Sequence, residues 1–214
     1  MKKTVYSLVL GEEVVREVDR RAYKTGTSRS NLINQLLAEH MGLVTDERRM
    51  GEIFAHARKL SEDMQGLQVM LQSDTVLVAR TALNYKYNPS MRYATTLIMG
   101  ADGLEGRLKA SLRSQNRELL FHLRRFFALW SKIEQAYGDS PRIELDGGWF
   151  IRRFTIPERL EGDCARQAGM IVNYIAAMDT AFAGYFKHVA DLAVAVKDIE
   201  RIYLEYLKEH KDVI

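Results

Sequence analysis

β-branched and aromatic residues crowd the start of the chain, and apolar positions then recur at helical spacing. Residues 4–10 (TVYSLVL) contain no helix-start signal and predict one strand. Gly11 follows, then Glu12 and Glu13, whose charges suit the positive end of a helix dipole. Val14, Val18 and Ala22 mark one helical face, Arg16, Asp19, Arg20 and Arg21 cover the rest, and Gly26 stands where that helix should stop. Ser28 is placed to cap a second helix with the apolar stripe Leu32, Ile33, Leu36 and Leu37, closed by Gly42. One strand and two short helices cannot close a core alone, and an isolated strand leaves both edges unpaired. Pairing with the strand of a second copy answers both deficits.

Thr45, Asp46 and Glu47 open a third helix. Met50, Ile53, Ala57, Leu60, Met64, Leu67 and Leu71 continue it at alternating three- and four-residue steps, predicting a helix over about 46–84 that stops before Asn88-Pro89. A two-chain coiled coil and ordinary core packing both fit this seam; Phe54, Val69, Met70, Val76 and Val78 beside it favour a broader buried face. Gly100, Gly103 and Gly106 oppose a helix, and the strict alternation after them predicts a hairpin over about 91–113. A helix over 115–137, a hairpin over 142–156 around Asp146-Gly147-Gly148, and a long helix over 163–209 complete the pattern. Gly169 and Gly184 are bend points in that last helix, so two stacked helices fit equally. The expected fold is mainly α with minor β, an α+β arrangement: a unit over 1–45, then a domain over 46–214 of long helices with two hairpins.

With 47% hydrophobic and 28% charged residues, the 214-residue chain has the composition of a soluble globular protein. A net charge of +3 is compatible with a polyanionic partner without requiring one. Cys164 is the only cysteine, which excludes an intrachain disulfide and a cysteine-based zinc site, and His40, His56, His122, His188 and His210 are scattered. No metal and no cofactor are expected. The apolar run over 5–10 is too short for a signal-peptide core or a membrane span, so a cytoplasmic location and no membrane partner are expected. No phosphate-cradling glycine loop, nucleophile elbow or carboxylate–histidine set is present, and the chain does not read as an enzyme.

The stretch TVYSLVLGEEVVREVDRRAYKTGTSRSNLINQLLAEHMG, over 4–42, resembles the ribbon-helix-helix DNA-binding family; Gly26-Thr27-Ser28-Arg29-Ser30 and the following apolar stripe are its most specific part. The resemblance implies a homodimer or higher oligomer whose two strands form an antiparallel ribbon in the major groove of double-stranded DNA. It further implies that Tyr6, Leu8 and Leu10 face the dimer core, that Val5, Ser7 and Val9 face base edges, and that Lys3, Ser28, Arg29 and Ser30 meet phosphates. Val5 and Val9 depart from the family, whose groove positions usually carry hydrogen-bonding side chains; valines can touch only thymine methyls. Residues 1–45 hold seven Lys/Arg against five Asp/Glu, a mild excess for a DNA binder.

The steepest charge bias lies further on, with seven basic residues and only Glu118 acidic between Arg107 and Lys132. Arg107, Lys109, Arg113 and Arg117 fit either a second nucleic-acid surface or a solvated face. The aromatics Phe121, Phe126, Phe127, Trp130, Trp149, Phe150 and Phe154 fit core packing better than a small-molecule pocket. The functional expectation is a dimeric, sequence-recognising regulator of transcription, most simply a repressor, with a C-terminal domain for oligomerisation, a small effector or a protein partner. A plasmid mobilisation or partition factor, and a dimeric scaffold that binds no DNA, are the alternatives.

Overall fold

The computed structural model describes residues 4–62, 64, 66–85, 88–101, 103–139 and 141–214. Residues 4–10 have no secondary structure in the single chain and are exposed throughout. Helix α1 (Glu12–Thr25) follows and ends where Gly26 takes a left-handed conformation at φ 67°, with the Thr27 amide donating to the Ala22 carbonyl. Helix α2 (Arg29–His40) starts at Ser28, whose hydroxyl oxygen accepts the Asn31 amide at 3.2 Å, and closes over left-handed Gly42. Val18, Ala22 and Leu32, with Ile33 beside them, form the small core between these two helices.

Helix α3 (Asp46–Ser61) has the expected Thr45 cap, but it ends at Ser61 instead of running to 84. Gly66, at φ 86°, turns the chain, and a hairpin replaces the helix: strands β1 (Gln68–Ser73) and β2 (Val76–Ala82) around Asp74. The heptad seam therefore holds only through Met50, Ile53 and Ala57. Val69, Val76, Val78 and Thr81, bulky at Cβ, suit a pleated surface, and Leu77, Ala79 and Thr81 alternate inward.

Strands β3 (Ser90–Gly100) and β4 (Gly103–Leu112) form the second hairpin, helix α4 (Arg117–Tyr137) follows, and β5 (Arg142–Asp146) with β6 (Trp149–Thr155) form the third. The two expected hairpins thus exist, and with the unexpected first one they build a single six-stranded antiparallel sheet of order β1-β2-β3-β4-β6-β5. The long terminal helix is two helices, α5 (Cys164–Lys187) and α6 (Leu192–Glu209). Neither Gly169 nor Gly184 makes the break. Asp191 does, by accepting the Ala193 and Val194 amides with its carboxylate and so starting a new helix. Gly184 instead permits close approach, since a Cβ there would lie 2.6 Å from the Asp198 carboxylate on α6.

Helices α3 to α6 share one core with the inward side chains of the sheet, including Tyr93, Leu108, Phe126, Trp130, Phe150 and Phe182. The α+β class of the expectation holds. Among the described residues no helix is long and apolar enough to cross a membrane.

Candidate nucleic-acid interface

At the N-terminus, Val5 is 97% and Val9 102% exposed, Ser7 is exposed between them, and Leu8, on the opposite parity, is 52% exposed. Val14, Leu36, Leu37 and Met41 are also exposed, so most of the apolar surface of this unit is uncovered in one chain. Ser28, Arg29 and Ser30 are exposed at the start of α2, whose first amides have no intrahelical acceptor, as at any helix start. Lys3 lies outside the described residues.

The arginines of this unit are already engaged. Arg29 forks onto Asp19, with Nη2 donating to Oδ2 at 2.8 Å; Arg20 and Arg21 both bond Glu17, and Arg16 reaches Glu12 at 3.5 Å. Hydrogen bonds from Arg20 and Arg21 hold the Glu17 carboxyl down at about 2. Three of the five acidic residues of this unit, Glu12, Glu17 and Asp19, are thus paired with its arginines. Asp19 competes directly with any phosphate for Arg29.

The second surface lies on the sheet. Leu104, Gly106, Leu108, Ala110 and Leu112 on β4 face the helices, so Glu105, Arg107, Lys109 and Ser111 face the other way. The register sets Arg107 directly opposite Arg153 on β6, and Arg153 opposite Arg142 on β5. Arg80 on β2 stands opposite Arg92 on β3, whose other neighbour is Ser111. Six basic residues thus share this face with Glu105, Glu144 and Asp146. Arg153 bonds Glu144 at 2.7 Å, whereas Arg80, Arg92, Arg107 and Arg142 have no acidic partner among the described residues.

The sequence brought Arg107 and Lys109 together correctly, but their companions are other residues. Arg113 is exposed just past the end of β4 and Arg117 is exposed at the first turn of α4. Arg124, further along α4, donates to the Gly147 carbonyl at 2.7 Å. Arg80, Arg92, Arg142 and Arg153 were missed, because strand order alone sets them beside Arg107 and Lys109. Of the aromatic set, Phe126, Phe127, Trp130, Phe150 and Phe154 are buried, while Phe121 and Trp149 are exposed. Lys109 holds its ammonium 3.2 Å from the centroid of the Trp149 ring.

Comparison of the chain with protein-family models, curated proteins and solved structures finds no match.

Proposed function

We propose that two copies of this chain pair their residues 4–10 into an antiparallel ribbon and grip double-stranded DNA, making the protein a dimeric DNA-binding regulator, most simply a repressor that occludes its operator. The observation that carries the reading is the state of the N-terminal unit in one chain. An unpaired segment with outward Val5, Ser7 and Val9 precedes two helices joined by left-handed Gly26, and Leu8, Leu36 and Leu37 lie uncovered. A strand with no partner in its own chain and an apolar face without a lid are both satisfied by one event, pairing with a copy. The exposed start of α2 then offers amides and Arg29 to a phosphate. A role in plasmid mobilisation or partition would use the same grip on DNA and differ only in the sequence bound. A scaffold without DNA binding would use the dimer alone.

Titration of a fluorescent duplex with the full chain over a salt series separates these readings. The expected result is an affinity that falls steeply with salt, with Asp19→Asn tightening binding to all duplexes by freeing Arg29. Absence of salt-dependent duplex binding would leave the scaffold.

A further inference from the structure

We propose that the face of the sheet turned away from the helices binds single-stranded nucleic acid, with phosphates on Arg107, Arg142 and Arg153 and a base against Trp149. This surface stands apart from the N-terminal unit, and the proposal does not rest on the ribbon.

Side chains directly opposite on neighbouring antiparallel strands lie about 5 Å apart at Cβ, and like charges there repel. Three arginines in one such row, Arg107, Arg153 and Arg142, meet only Glu144 as a bonded acid among the described residues. A second like-charged pair, Arg80 and Arg92, lies on the neighbouring strands β2 and β3, displaced by four residues, roughly 13 Å along the strand direction, from the Thr96 position level with Arg107. Arginine forks bind phosphate oxygens two at a time, so an extended polyanion converts this repulsion into charge-assisted hydrogen bonds. A cavity of about 230 Å³ opens at the three-arginine row, with Thr96, Ile98, Gly106 and Phe154 also in its wall and Glu105 at its side.

Charge excludes a second copy of this face as its occupant, since two such surfaces repel. The choice of a single strand comes from Trp149. It is 46% exposed, lies on the same face and carries the Lys109 ammonium against its ring. A broad sheet face with an aromatic ring suits splayed, unstacked bases, and stacking on such rings tolerates any sequence. Bases inside a duplex are already stacked on each other and cannot use the ring.

Trp149 also supplies the readout. The other tryptophan, Trp130, is fully buried in the core. Oligodeoxythymidylate and oligouridylate, fifteen or so nucleotides long, would be titrated into the full chain while tryptophan fluorescence is followed, with a duplex of equal length in parallel. Single strands should quench the Trp149 emission to saturation, with an affinity that falls with salt. Trp149→Phe should abolish the quench and weaken binding, followed by anisotropy of a labelled strand, about tenfold. The pair Arg107→Glu and Arg142→Glu should weaken it further; Arg142→Gln on the edge strand, with no reversed charge to disturb the sheet, should give a smaller loss. Three results would overturn the proposal: no quench by either single strand, binding unchanged in the Arg142→Gln and double variants, or equal quenching by the duplex.

Discussion

Glu134 on α4 is fully buried and holds three donors: Trp130 Nε1 at 2.6 Å, Arg152 Nε at 2.9 Å and the Tyr174 hydroxyl. Burial pushes its carboxyl up, and the bonds with Tyr174, Arg152 and Trp130 pull against that. Arg152 points into the core from β6 between Phe150 and Phe154. Replacing it with methionine leaves Glu134 without its counter-charge, and the expected loss is about 3–5 kcal/mol in urea unfolding. Adding Glu134→Gln should recover part of it; a single variant as stable as the parent would contradict this account of the pair. Asp179 on α5 accepts the Thr81 hydroxyl at 2.5 Å and the Tyr93 hydroxyl at 2.9 Å, tying the helix to the sheet, and burial raises its carboxyl above the usual 3.8. The folded state therefore holds this proton more tightly than the unfolded chain. The site contributes its full stability below about pH 4 and loses it as pH rises through the folded value. The stability gap between the parent and Asp179→Asn should accordingly shift against the parent from about pH 4 upward, and a gap independent of pH would refute the assignment.

Helix ends were legible in the sequence because capping is local chemistry. Ser28, Thr45, Gly26 and Gly42 act where their side chains, or lack of one, predict. The stop of α3 was not, since Leu67 and Leu71 continue a three-four spacing while Val69, Val76 and Val78 already favour a strand. The break before α6 rests on one carboxylate, Asp191, in an apolar pattern that otherwise runs on. The arginine row could not be read along the chain at all. Arg107 and Arg153 meet because β6 returns beside β4 after the 21 residues of α4, a matter of sheet order. At this scale Gly26 is the sharpest test. Alanine at its left-handed φ of 67° costs roughly 1–2 kcal/mol and should loosen the α1–α2 junction. Hydrogen exchange should then quicken in α1 and α2 while the sheet keeps its protection; equal protection in both helices would show that the junction does not need that conformation.

Across the whole molecule the two cores differ in sufficiency. The domain from α3 onward closes a continuous core of sheet and helices, whereas the N-terminal unit buries Val18, Ala22 and Leu32 and leaves Leu8, Leu36 and Leu37 outside. So small a core does not hold two helices by itself, and in the proposed dimer a second copy supplies the cover, its strand pairing with residues 4–10. Charge divides the same way. The N-terminal arginines are paired with Glu12, Glu17 and Asp19, while the sheet carries arginines with no acidic partner among the described residues. Pairing through residues 4–10 is therefore the claim on which the proposed grip on DNA depends, and light scattering of the full chain at micromolar concentration, beside Leu8→Asp, tests it directly. The expected masses are twice the 24.6 kDa of one chain for the parent and a single chain for the variant, whose buried carboxylates would face each other across the ribbon. A parent that runs as a folded monomer, or a Leu8→Asp variant that stays dimeric, would contradict it.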